Sequence, residues 1–279
     1  MTTAQTTTNT PNAGVLMLGG QSHYVTRREL ADLPTPLPKE GSTYHQPIPH
    51  HRLVSALTDG IIARGWTIRS EQLGLCRASK QLFGVLQLES PGAGPGEMNH
   101  LALDKQCDMR PAFGFRSSHD QSLAVRGVAG ARVTVCDNLM LAGDHFMMNR
   151  KSTKGLDLEE MIESGLDRFI EQYGGFRDDV NDMTVWDLVA PDAKEYLCDL
   201  FRAPWMPSRL FKPVCQNYFQ KSDERPDCIP DTLLGLNNAV TRALQKLPPA
   251  AHFRASGQVG LYFQDIVRHR CGPDRHVGG

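Results

Sequence analysis

Apolar residues recur at every second position through much of 66–89 and again through 110–137, and at every third or fourth position on either side of that stretch. A period of two belongs to strands, whose side chains alternate between faces, and a period near 3.6 belongs to helices. Strands that follow one another with no helix between them pair antiparallel, because a parallel crossover needs a dozen or more intervening residues. The expected fold class is therefore α+β, a mostly antiparallel sheet of β-hairpins flanked by helices. Residues 44–145 form its central unit, built around 113–138, FGFRSSHDQSLAVRGVAGARVTVCDN.

The individual elements follow from local signals. Thr26 with Glu29 three positions on is a capping box for a short helix over 26–33. Four prolines in TPLPKEGSTYHQPIPHH hold the next segment extended. Leu53, Val54, Leu57, Ile61 and Ile62 then line a helix that Gly65 closes. Strands are expected at 66–78 and 81–89 around a Ser79-Lys80 turn, and at 110–118 and 122–128 around a turn at 117–121. Gly127 to Gly130 reads as a tight turn, and 131–137 as the clearest strand, with SPGAGPGEMNH as a loop between the hairpins. A helix over 156–173 should stop at Gly174-Gly175, and Pro191 should break a helical stretch over 184–200. The segment 205–230 reads as loop or linker, 231–247 as an amphipathic helix, and 256–267 as a further helix. Three parts result: a disordered Thr-rich arm at 1–25, an α+β core at 26–175, and a helical, loop-rich region at 176–279.

Composition narrows the function classes. Lys+Arg (30) and Asp+Glu (31) nearly cancel, so net charge gives no case for nonspecific nucleic-acid binding, although a local basic face fits within a neutral total. No apolar run reaches the roughly 20 residues of a membrane helix, and the N-terminus lacks the basic and apolar regions of a signal peptide. Seven cysteines with no CxxC pair read as reduced thiols in a cytoplasmic protein. There is no GxSxG, no zinc-ribbon spacing, and no Walker Lys-Ser/Thr after GAGPG. No cofactor is expected.

Two constellations carry chemistry. His119-Asp120 in the 117–121 turn is an acid/base or metal-binding pair if the turn aims both side chains together, with Asp144-His145 as a second pair. Ser and Asp also favour turns for purely local reasons, and that reading is preferred. The other constellation is basic: Arg116, Arg126 and Arg132 on the central strands, then Arg150, Lys151 and Lys154. With Phe113, Phe115 or Trp66 beside them, such cations would track phosphates while rings stack under bases. His50 and His51, at the start of a helix, read as structural.

The chain also resembles a known family. TPLPKEGSTYHQPIPHHRLVSAL, the strand QLFGVLQLE, the turn Ser118-His119-Asp120-Gln121-Ser122 and the strand from Arg132 through Cys136 to Asn138 resemble the bacterial phage/plasmid-like proteins of domain of unknown function 932. LNNAVTRALQKL resembles that family's late helix, and the likeness spans 35–247. Gln121 stands where the family has Gly, and Ser152 where it has His before Thr153. The resemblance implies a phage or plasmid origin, with Ser118, His119, Asp120, Cys136 and Asn138 as family motif. The order of helix, hairpins and helix also resembles the core of phage single-strand-annealing proteins, which oligomerise on DNA. The expected function is thus a non-enzymatic single-stranded nucleic-acid binding or annealing protein, homo-oligomeric and without membrane contact. The alternatives are a metal-assisted hydrolase using His119 and Asp120, or a protein that blocks a host defence factor.

Overall fold

The structure, a computed structural model, describes residues 22–34, 36–38, 40–42, 44–89, 109–133, 138–220 and 231–271. The described residues begin with β1 (His23–Val25) and the short helix α1 (Arg27–Ala31), followed by α2 (His50–Ala63). Five strands then follow: β2 (Thr67–Cys76), β3 (Gln81–Glu89), β4 (Met109–Ser118), β5 (Val125–Val133) and β6 (Asn138–Arg150). The elements described beyond β6 are helical: α3 (Leu158–Val185), α4 (Ala190–Arg202), α5 (Phe211–Phe219) after a 3-10 turn, α6 (Leu233–Leu244) and α7 (Pro249–Cys271). Each strand pairs antiparallel with the next, in spatial order β1-β2-β3-β4-β5-β6. The fold is α+β with a helical C-terminal part, as the switch in period requires.

Alternation along the strands divides the side chains between two buried faces. Leu73, Leu75, Leu82, Leu86, Leu88, Phe113, Phe115 and Val125 join the main core with α2, α3 and α6. Phe83, Val85, Ala112 and Val128 form a smaller cluster with Phe253 of α7, and Ala250 packs against it. Burial on both faces explains why β3 does not alternate in sequence: positions 81–88 are all buried. Gly84 lies directly opposite Phe115, and a Cβ there would fall 2.1 Å from the Phe115 ring. The ring covers the missing side chain, so only glycine fits.

Caps hold the helices where the sequence marks them. Thr26 and Glu29 form the reciprocal capping box on α1, and Gly65 at φ 77° ends α2. Thr232 accepts the Gly235 amide at the start of α6, while Leu233 N–H donates to Trp186 O. That junction pins α6 so that nearly every one of its residues is buried, including Asn237 and Asn238.

Several expectations are corrected. Gly174 and Gly175 lie inside α3, where no atom crowds either position and Phe176, Val180 and Met183 continue the apolar stripe. Two helical glycines cost about 1 kcal/mol each, and continued burial offsets that. The helix therefore crosses the expected 175/176 boundary, and a single apolar cluster holds Leu57 and Phe113 together with Leu197 and Leu234. Gly127 to Gly130 is strand rather than turn; register shifts against β6 absorb its irregularity. Residues 138–150, unassigned from sequence, form β6, and 211–219 of the expected linker form α5 around buried Val214. α6 is enclosed on nearly every side, and α7 is longer than the 256–267 helix expected. His23–Val25, within the expected disordered arm, pair with β2. The first 21 residues, the SPGAGPGEMNH loop, Cys136 and the tail from 272 lie outside the described residues. No helix among the described residues is long and apolar enough to cross a membrane.

Candidate nucleic-acid interface and histidine cleft

The Ser-His-Asp segment forms the loop between β4 and β5 and closes largely on itself. Ser118 Oγ donates to Leu123 O at 3.0 Å and accepts the Leu123 amide at 2.9 Å. The Asp120 carboxylate accepts from both the amide and the hydroxyl of Ser122, and Gln81 Nε2 donates to that hydroxyl at 2.7 Å. Burial opposes ionisation of Asp120 most strongly, but the Ser122 bonds outweigh it and hold its pKa below the usual value. Gln121 sits at φ 60°, the left-handed conformation that glycine adopts freely. The Asp120 carboxylate is therefore committed to its own turn, which is the local role sequence reasoning preferred.

His119 takes no part in that closure. Its backbone amide donates to Lys80 O at 2.8 Å, and its ring bonds the Ile48 carbonyl. Its imidazole stacks on His50 with centroids 3.6 Å apart and planes 13° from parallel. His50, 2% exposed, has Nε2 at 3.2 Å from Ser79 O, so the proton sits on that nitrogen. Burial, then the charge of His119, drives the His50 pKa to about 3, and burial also lowers that of His119. Both rings are neutral near pH 7, which permits stacking without charge repulsion. The β2–β3 turn that receives them places Arg77, Ala78 and Ser79 consecutively at positive φ. Each such non-glycine residue costs about 1–3 kcal/mol. A cleft of about 690 Å³ opens beside them, lined by His45, Ser79, Lys80, His119 and Asp120 under Leu33 and Pro36.

No group of three His, Cys, Asp or Glu residues that could hold a metal occurs among the described residues. His145 belongs to β6 near the middle of β5, between the pairs Val128↔Phe146 and Gly130↔Leu141, whereas His119 lies beyond the end of β4. The geometry thus does not bring His145 to the His119-Asp120 turn, and a hydrolytic site built on all three has no basis in it.

The basic residues divide into two groups, with Arg132 apart from both. Arg116 and Arg126 stand directly opposite each other across β4 and β5, on the α7 side of the sheet. Arg126 Nε donates to Asn149 Oδ1 at 3.0 Å. Arg116 is only 8% exposed, lies 5.1 Å over the Phe253 ring, and its Nε has no hydrogen-bond partner. Burial, followed by the charges of Arg126 and Arg254, lowers its pKa to about 10. Arg150, Lys151 and Lys154 are exposed, at the end of β6 and just beyond. Lys154 N–H donates to Tyr44 O, and Thr153 bridges to His45, which ties this tract to the 44–46 segment. Arg132 pairs in register with Arg110 and Leu139, six positions along β5 from Arg126 and about 20 Å away. Asn138 pairs with Val133 at the start of β6.

The expected stacking rings are elsewhere. Phe113 and Phe115 are fully buried on the opposite face of the sheet, and Trp66 packs edge-on against Phe169 and Tyr173. Tyr44 is the ring that solvent reaches beside the basic tract, 76% exposed, and Arg254 of α7 is the cation that sequence reading missed. Neither lies in a periodic pattern with the other basic residues; only the pairing of distant segments brings them near. Comparison with known proteins finds no matching family model, no matching curated protein and no matching solved structure.

Proposed function

We propose that this chain is a non-enzymatic protein that binds single-stranded nucleic acid through its phosphates. The carrying observation is the pairing of Arg116 with Arg126 on one sheet face, with exposed Arg150, Lys151 and Lys154 continuing the positive tract where β6 ends. Cations arranged along a sheet edge attract a polyanion by releasing its counterions, whatever the net charge of the whole chain. Tyr44 beside Lys154 supplies a ring against which a base stacks, in place of the buried phenylalanines. The motif resemblance to phage/plasmid-like proteins supports a mobile-element setting for this activity.

Self-assembly belongs to the same proposal. β6 is the last strand of the sheet, 13 residues long, and its outer side has no strand partner among the described residues. A strand edge of that length without a strand partner can receive a second chain. Light scattering with and without a single-stranded oligonucleotide tests this: larger assemblies on the oligonucleotide support annealing, and a monomer in both states removes it. Binding itself is tested with a labelled oligonucleotide and the Tyr44→Ala and Lys151→Glu/Lys154→Glu variants. Each should weaken binding several-fold, and unchanged affinity in both would overturn the assigned interface.

A further inference from the structure

We propose that the cleft between the proline-rich segment before α2 and the start of α3 takes the base of one nucleotide of the bound strand, with that nucleotide's phosphate on Lys154. The inference rests on the nucleic-acid reading for the strand, and on separate observations for the cleft.

Residues 44–46 and 152–154 form a short antiparallel ladder. Lys154 N–H donates to Tyr44 O at 3.0 Å, Gln46 N–H donates to Ser152 O at 3.3 Å, and His45 bridges to Thr153 between them. Side chains alternate along extended chain, so Tyr44 and Gln46 share the face of Lys154. Tyr44 and Lys154 stand directly opposite each other, which sets their Cβ atoms about 5 Å apart. All three side chains are exposed. Beside the ladder opens a cleft of about 660 Å³, whose lining joins Gln46, Thr153 and Lys154 to Pro36, Pro47 and Leu156.

The acidic groups that line this cleft are already engaged. Asp157 accepts the Glu160 amide at 3.0 Å as the cap of α3, and Glu159 pairs with Arg52 at 2.9 Å. The Lys154 ammonium and the Gln46 carboxamide have no partner among the described residues. A ligand that completes the lining presents flat apolar faces to the prolines and Leu156, a rim of donors and acceptors to the carboxamide, and an anion to the ammonium. A nucleotide has all three. The carboxamide sets one donor beside one acceptor, the pairing with which glutamine reads a base edge. Small-molecule sites span about 300–1,000 Å³, so the cleft has room for the base and its sugar. Its proline walls have fixed φ, so little ordering is needed when the base enters. Arg150 and Lys151, exposed just before Lys154, carry the neighbouring phosphates to its edge.

The test compares a single-stranded oligonucleotide with the abasic sugar-phosphate chain of the same length and charge. It is made in full-length Tyr44→Ala, where stacking on that ring is gone. The base-bearing chain should bind about tenfold tighter, and adding Gln46→Ala, also at an exposed position, should bring the ratio close to one. The fluorescent mononucleotide 2-aminopurine deoxyriboside monophosphate probes the cleft without a strand. Wild type should quench its emission saturably, and Gln46→Ala should remove that quenching. If neither chain binds but the mononucleotide does, in a Gln46-dependent way, the cleft stands as a nucleotide site and the strand reading fails. Equal binding of the two chains with no saturable quenching, or a ratio that Gln46→Ala leaves unchanged, overturns the cleft while leaving phosphate binding in place.

Discussion

Replacing Arg116 by methionine should stabilise the protein in the absence of anions while weakening its hold on nucleic acid. The guanidinium is buried, rests on Phe253, faces Arg126 and Arg254, and has no carboxylate partner of its own among the described residues. A pKa lowered to about 10 means that the charged form is disfavoured by about 3 kcal/mol relative to water. Methionine keeps much of the side-chain volume and packs against Phe253, but loses a cation–π contact of about 1 kcal/mol. The net expectation is a gain of about 2 kcal/mol, which for a chain of this size raises the melting temperature by about 4–8 °C. Thermal unfolding followed by circular dichroism in a chloride buffer measures it, and oligonucleotide titration on the same samples measures the loss of binding. A lower melting temperature in Arg116→Met would refute the reasoning, because it would show that a partner already neutralises the guanidinium. Retention of an arginine that costs stability is what a functional role predicts.

Other outcomes follow from the same geometry. His50 and fully buried His252 have pKa values lowered to about 3 and about 4, below their unfolded value, so each contributes stability above about pH 6.5 that is lost as pH falls. At pH 5 the loss is about 2 kcal/mol for each, and urea unfolding should show His50→Gln, which can still donate to Ser79 O, losing roughly half as much as the wild type between pH 7.5 and 5. An identical pH dependence in the variant would mean that the stacked pair does not titrate as described. Gly84→Ala forces a methyl into the Phe115 ring and should cost at least about 3 kcal/mol in chemical denaturation, and a loss below 1 kcal/mol would show that the ring can move aside. Asp120→Ala removes the acceptor for two Ser122 bonds and should cost about 1–2 kcal/mol while leaving oligonucleotide affinity unchanged; weaker binding would move Asp120 from the turn into the interface.

What could be read from the sequence was set by local physics. The capping box at Thr26, the closure of α2 at Gly65 and the antiparallel hairpins rest on near neighbours, and all are present. Elements stabilised mainly by distant packing were not legible. Gly174-Gly175 reads as a stop, yet α3 continues because Phe176, Val180 and Met183 find a core supplied by other parts of the chain. α6 hides its two asparagines in the interior, which no helical periodicity announces. In the site, the Arg116/Arg126 pairing follows from correct strand register. The contribution of Arg254 depends on where α7 lies, and that of Tyr44 on a bridge between His45 and Thr153. The positive φ at Gln121 was not legible because a glutamine gives no sign of it; the loop's own hydrogen bonds accompany it.

Binding of a fluorescently labelled single-stranded oligonucleotide across a range of salt concentrations, followed by anisotropy, tests the central claim most directly. With Arg126, Arg150, Lys151 and Lys154 as the accessible cations, the logarithm of the association constant should fall against the logarithm of salt concentration with a slope of about −3. No binding at micromolar protein and about 50 mM salt, or binding that salt does not weaken, would contradict it.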